Sequence, residues 1–357
     1  MHCRLIALLC AATWAGGDHA WSSTPQGNPA SVPRGEPIVQ TDGRRIWEYT
    51  LVVTEGHATL ANGARYKVWA FNGRVPGPTL VAKEGEWVRI TLVNETSVPH
   101  TIHSHGLYVP HRMDGVPHDH GSDPHHPAAA PRPAAVAPGE RFTYEYLARP
   151  AGTHFYHCHV NTNEHLERGM AGILVVLPAA PEPAVDHDFA LLLDEWDSRF
   201  AQDGTPGHPR DIGGYDFFTI NGRSFPETPP LQVSLGEVVR LRIINAGSLP
   251  HSVHLHGHGF LVTHQDGARV PDPARRDTIG VSPGERVDLV LVANNPGLWP
   301  IHCHVAMHQT NAGQYPGGMM VHMQVGPDPF PTEGQGPRGR TLEDIAHEWR
   351  TPAPSAR

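Results

Sequence analysis

Short stretches of alternating apolar and polar residues recur along the chain, and they predict β-strands rather than helices. WVRITLVN (Trp87–Asn94) and VVRLRIIN (Val238–Asn245) keep apolar residues at every second position over the length of a strand. Residues 142–146 and 287–292 follow the turns Pro138-Gly139-Glu140 and Pro283-Gly284-Glu285, and residues 173–177 close the first series of strands. Helical spacing is confined to residues 341–350. Short strands separated by Gly and Pro turns predict an all-β fold with a Greek-key sandwich in each half.

The pattern is itself duplicated. Asn72-Gly73-Arg74 returns as Asn221-Gly222-Arg223, and Pro138-Gly139-Glu140-Arg141 returns as Pro283-Gly284-Glu285-Arg286. His100-x-x-His103-x-His105-Gly106 returns as His251-x-x-His254-x-His256-Gly257, and residues 152–159 return as 297–304. Two copies of one ~150-residue unit account for these matches. They predict domains over 45–178 and 187–326, joined by the Pro-rich segment 178–188. Residues 116–137 are a His-, Pro- and Ala-rich insertion, holding His118, His120, His125 and His126 and read as a polar loop. Residues 327–357 are a Pro- and Gly-rich tail, expected to attach loosely.

Composition narrows the chemistry. The chain has 357 residues, with 27 His, 4 Cys and a net charge of −9. The length suits two such units. Lys67 and Lys83 are the only lysines, which argues against a nucleic-acid binder. No apolar run of ~18 residues follows the N-terminus, so no membrane span is expected. Residues 1–20 combine Arg4 with an apolar stretch and read as a secretory signal peptide, so an exported protein, periplasmic or secreted, is expected. Cys3 and Cys10 would leave with it. Cys158 and Cys303 would remain, and an exported protein would ordinarily pair them in a disulfide. Instead, each is flanked by two histidines, as His157-Cys158-His159 and His302-Cys303-His304.

That arrangement points to metal. Residues two apart on a strand share a face, so His103 and His105 can reach one cluster side by side, as can His254 and His256. In His-Cys-His the histidines share one face and the cysteine takes the other, so one segment can serve two centres. A thiolate, two imidazoles and a weak thioether make the blue-copper set. The first unit offers Cys158, His100, His165 and Met170, and the second offers Cys303, His251, His308 and Met319. A lone histidine is ordinarily a surface or turn residue. Twelve placed in two matching copies around two cysteines are not. Zinc closes with four ligands and would leave most of them idle.

The four histidine segments resemble the copper-binding motifs of multicopper oxidases, and the two-copy layout is similar to that of two-domain laccases, over roughly residues 49–324. The resemblance implies cupredoxin domains holding type 1 copper and a trinuclear cluster of one type 2 and two type 3 coppers. Carried over by position, type 2 copper would take His103 and His254. One type 3 copper would take His105, His157 and His304, and the other His159, His256 and His302. The resemblance also implies a homotrimer whose clusters form between subunits, with O2 as acceptor and a phenol, aromatic amine or metal ion as the small reductant. Asp114 resembles the acidic residue that family places near the cluster to supply protons; otherwise it is a turn aspartate before Gly115. Tyr108 is a weaker candidate for a redox-active role beside the cluster, and is otherwise expected to be a packed strand tyrosine.

Two departures stand out. The family spacing puts a histidine five residues after the cysteine and a methionine ten after. The first unit has Asn163 at the fifth position, with His165 and Met170 later; the second has His308 in place but Gly313 where the methionine should stand, and Met319 six residues on. A copper nitrite reductase and a non-enzymatic electron-transfer cupredoxin are the alternatives. The former uses one three-histidine copper and lacks His-Cys-His in both domains.

Overall fold

The computed structural model describes residues 30–61, 63, 65–117, 135–198, 214–326 and 340–350. The proposed signal segment and most of the 116–137 insertion lie outside them. The described residues form four sheets. In the N-terminal half, a five-stranded sheet built on Arg45–Thr59, Trp87–Asn94 and Arg141–Leu147 faces a four-stranded sheet of Gly77–Lys83, Ala171–Leu177, Gly152–His157 and His103–His105. In the C-terminal half, a seven-stranded sheet built on His187–Trp196, Val238–Asn245 and Arg286–Val292 faces a five-stranded sheet containing Met320–Val325, Gly297–Cys303 and His251–Leu255. Arg45–Thr59 runs parallel to Trp87–Asn94, and His187–Trp196 runs parallel to Val238–Asn245. The two halves thus repeat one topology, and each core fills the gap between its two sheets. Val53, Val88 and Ile90 meet Leu80, Leu174 and Tyr156 in one. Leu193, Leu241 and Ile243 meet Val253, Ile301 and Val321 in the other.

Trp87–Asn94 alternates between buried and half-buried positions, as its pattern predicts. Val238–Asn245 does not; all eight of its residues are buried. Its polar positions, Arg240 and Arg242, lie under other parts of the chain. A buried guanidinium needs partners. Arg242 finds Asp188 at 2.7 Å and Asp288 at 3.1 Å. Arg240 finds Glu182 at 2.8 Å and lies 5.3 Å from the Trp349 ring.

Gly152–His157 is also buried throughout. Its four-stranded sheet packs on its own core with one face and on the second domain with the other. On that second face Phe155, Ile173 and Val175 meet Ala190, Leu192 and Ile244. The Thr153 hydroxyl donates to Asp288 across the same boundary at 2.5 Å.

The tail departs from expectation. Leu342–Arg350 is a helix, within the span where helical spacing was seen, and it is firmly seated. Leu342, Ile345, Ala346 and Trp349 follow the i, i+3, i+4, i+7 rule. They pack on Val238, Leu261, Val290 and Val292, leaving Trp349 1% exposed. Loose attachment is therefore wrong for this part of the tail, because the stripe buries a large aromatic. A second helix, Thr162–Glu167, lies outside the one stretch of helical spacing in the sequence.

Candidate metal centres

In the first half Cys158 follows directly on the strand Gly152–His157, His100 lies just before His103–His105, and His165 sits on the helix Thr162–Glu167. The Nδ1 atoms of His100 and His165 are 3.2 Å apart. They lie 3.8 and 3.0 Å from Cys158 Sγ. In the second half the Nδ1 atoms of His251 and His308 are 3.1 Å apart, and 3.8 and 3.4 Å from Cys303 Sγ. All six residues are buried, and within each trio the ligand atoms lie inside 4.8 Å of one another. A backbone N–H also donates to each sulfur, from Thr101 at 3.3 Å and from Ser252 at 3.4 Å.

The short helix explains the spacing departure in the first unit. It carries the chain through a turn before presenting His165, whereas His308 is presented by the 3-10 turn Ala306–Gln309. The two methionines hold equivalent places. Met170 accepts from the Cys158 N–H at 3.2 Å and donates to the His165 carbonyl at 3.0 Å. Met319 does the same with Cys303 at 3.0 Å and His308 at 2.8 Å. The extra residues before Met319 are therefore taken up in 309–318. Gly318 permits that return: its φ is +65°, and a Cβ there would lie 2.2 Å from the His308 carbonyl oxygen.

Burial disfavours charge on the first pair of rings, lowering His100 to about 3 and His165 to about 4. Both rings are thus neutral, with nitrogen lone pairs free for a metal. Burial likewise pushes the Cys158 thiol up to about 11. At the second centre burial opposes charge, but hydrogen bonding reverses the outcome. Contacts with His251 and His308 bring Cys303 down to about 6. Contacts with Cys303 and Glu195 bring His251 up to about 9.

The eight remaining histidines form two quartets. The His103 ring lies 5.9 Å from His105, 5.1 Å from His157 and 5.4 Å from His159. The His254 ring lies 4.8 Å from His256 and 5.6 Å from both His302 and His304. Backbone carbonyls fix one nitrogen of several rings and leave Nε2 for a metal. His103 Nδ1–H donates to Asp114 O at 2.7 Å and His157 Nδ1–H to Cys158 O at 3.0 Å. His254 pairs with Asp277 O at 2.9 Å and His302 with Cys303 O at 3.0 Å. Burial lowers His105 to about 4 and His157 to about 3. Among the described residues, none of the three close groups of potential ligands mixes histidines of the two domains.

A buried sulfur beside two imidazoles in each trio, and the all-imidazole quartets, are donor sets that fit copper. Asp114 lies behind the first quartet, its Oδ1 3.3 Å from His103 Nδ1. Tyr108 is not a packed strand tyrosine. It is 71% exposed, in a loop held by its N–H bond to the Arg149 carbonyl at 2.9 Å. His118, His120, His125 and His126 lie outside the described residues.

Several neighbours of the sites belong to no sequence motif. Trp69 lies 4.5 Å from His165, and Phe218 stacks 4.2 Å from His308. The Thr96 hydroxyl meets His100 Nε2 at 2.7 Å, and Glu195 Oε2 meets His251 Nε2 at 3.2 Å. The internal repeat held a signal for the two aromatics: continuing the Asn72/Asn221 match backwards pairs Trp69 with Phe218.

Two multicopper oxidase family models match the chain, over residues 52–181 and 202–329. A solved structure of a blue copper oxidase from Nitrosomonas europaea is 41% identical with a TM-score of 0.72, covering 79% of this chain and 86% of that one. Laccase-24 of Oryza sativa subsp. japonica is 31% identical over 248 residues, 63% of this chain and 40% of the relative. The multicopper oxidase MmcO of Mycobacterium tuberculosis is 30% identical over 268 residues, 68% of this chain and 49% of the relative. The chain thus spans less than half the length of these two curated relatives. With both halves matched and the folded repeats of a cupredoxin-like protein, the chain belongs to the multicopper oxidase family.

Proposed function

We propose that this protein is a laccase-like copper oxidase, coupling one-electron oxidation of a small reductant to the reduction of O2. The carrying observation is that each His-Cys-His segment joins a thiol-bearing trio on one side to a histidine quartet on the other. Bound copper would supply electron uptake at the mononuclear centres and four-electron reduction of O2 to water at the trinuclear centre. Cys158, His100, His165 and Met170 would hold one type 1 copper, and Cys303, His251, His308 and Met319 the other. His103, His105, His157, His159, His254, His256, His302 and His304 would hold the cluster.

The chain's own contribution is placement. Cys158 and Cys303 are each covalently bonded to two cluster histidines, the shortest link between the two kinds of centre. Carbonyl groups hold the rings in one tautomer. Asp114, against His103, would hold a proton close to the cluster. Neutral buried rings exclude competing protons from the ligand nitrogens. A nitrite reductase needs only one three-histidine centre, which leaves the second quartet without a purpose.

The two quartets sit in separate domains, and among the described residues no close ligand group spans them. This supports a homotrimer in which each cluster joins quartets of neighbouring copies. The leader-like residues 1–20 support export to the periplasm or outside the cell. We assign the two copper domains to 45–178 and 187–326. Among the described residues no helix is long and apolar enough to cross a membrane.

Oxygen uptake by the copper-loaded protein, measured against phenols, aromatic amines and Cu(I), tests the activity. Four electrons consumed per O2 with water as product is the expected result. Nitrite turnover without oxygen uptake would refute it. Mixing tests the shared cluster. A His103→Ala/His105→Ala chain and a His254→Ala/His256→Ala chain, each inactive, should regain oxygen uptake when refolded together. No recovery would place the cluster within one chain.

A further inference from the structure

We propose that Glu195 makes the two mononuclear centres unequal. It places a buried negative charge on the outer nitrogen of His251 and so holds the second-domain centre at a lower reduction potential than the first. The inference rests on the reading above that both domains hold a blue copper.

Strand register identifies the counterparts. Val53 lies opposite Asn94, and Leu193 lies opposite Asn245. Two residues on, Glu55 therefore corresponds to Glu195, and Thr96 corresponds to Gly247. One ancestral pair of positions has been used in two ways.

In the first domain the Thr96 hydroxyl occupies His100 Nε2, at 2.7 Å. Glu55 is turned aside: it accepts from the Ser97 hydroxyl at 2.7 Å and pairs with Lys67 at 3.1 Å, with its side chain 34% exposed. In the second domain Gly247 has no side chain, and a Cβ there would lie 2.2 Å from Glu195 Oε2. The carboxylate fills that space. Its Oε1 accepts the N–H groups of Ser248 and, at 2.6 Å, of Leu249. Its Oε2 reaches His251 Nε2 at 3.2 Å, with the two side chains 1% and 0% exposed. The Asn72/Asn221 match puts Asp216 where the first domain has Lys67, so the neutralising lysine has no counterpart.

A carboxylate accepting the outer N–H makes an imidazole a stronger donor through its other nitrogen. In a low-dielectric interior its charge also favours the more positive oxidation state of a nearby metal. A threonine hydroxyl does neither to a comparable extent.

Spectroelectrochemical titration of the blue band tests this, in a Cys158→Ser background where the band reports the second centre alone. Glu195→Gln removes the charge and keeps the volume. Glu195→Ala with Gly247→Thr rebuilds the first domain's arrangement. Both should shift the oxidised-to-reduced ratio at fixed potential at least tenfold toward reduced, ~59 mV for one electron. A shift below threefold in either variant that keeps its band would overturn the proposal. So would loss of copper from both, which would mark Glu195 as needed to assemble the site rather than to tune it. Absence of any blue band in the Cys158→Ser parent would instead defeat the two-centre reading beneath it.

Discussion

Replacing Thr96 with valine removes a hydroxyl and almost no volume. Thr96 Oγ1 is buried and contacts His100 Nε2 at 2.7 Å, Asn94 Oδ1 at 2.8 Å and the Val98 carbonyl at 3.0 Å. With Nδ1 given to a metal, the ring must carry its proton on Nε2, and valine leaves that N–H without an acceptor. A buried unsatisfied donor costs about 1–3 kcal/mol. The metal-free ring can avoid the cost by moving its proton to Nδ1, so the penalty falls mainly on the loaded state. Copper affinity at the first-domain centre should therefore drop by about 5- to 150-fold. The assay is competition against a Cu(I) chelator in a Cys303→Ser background, where the blue band reports that centre alone. Affinity within threefold of the parent would show that Thr96 does not hold the ring.

Trp349→Ala should cost about 3–5 kcal/mol of stability. It removes a buried ring 5.3 Å from both Arg240 and Arg269, and a shift of the denaturant midpoint measures it. Buried His100, His154, His157 and His165 all have lowered pKa values in the folded chain. The unfolded chain takes up protons first as pH falls through ~6.5. Stability of the copper-free protein should therefore fall from pH 6.5 toward 5, approaching ~1.4 kcal/mol per group per pH unit. Urea midpoints across that range check the sign; a flat profile would contradict it. Asp114→Asn should slow oxygen uptake and leave the blue band unchanged; an unaltered rate across pH would remove Asp114 from proton supply.

The sites were legible because their chemistry is compact in sequence. His-Cys-His puts the proposed ligands for two centres into three residues, and strand geometry alone sorts them to opposite faces. Met319 was legible only by comparison with Gly169-Met170, since the insertion before it breaks the spacing. Glu195 was hidden because it lies 56 residues from His251 in the chain and meets it only through the pairing of His187–Trp196 with Val238–Asn245. The Pro and Gly content of the tail conceals the seating of its helix. The Leu342–Arg350 stripe needed a partner surface that sequence does not display.

The duplicated β unit, the two Cys/His trios and the eight histidines proposed for the cluster are encoded in the chain locally, by periodicity and short motifs. Tertiary structure decided which polar residues are buried. VVRLRIIN reads as a strand with one wet face, yet Arg240 and Arg242 are enclosed, because the first domain and the C-terminal helix lie over them. It also sets what backs each Cys/His trio. A hydroxyl stands behind one histidine and a carboxylate behind the other, since a missing side chain at Gly247 opens space that a distant strand fills.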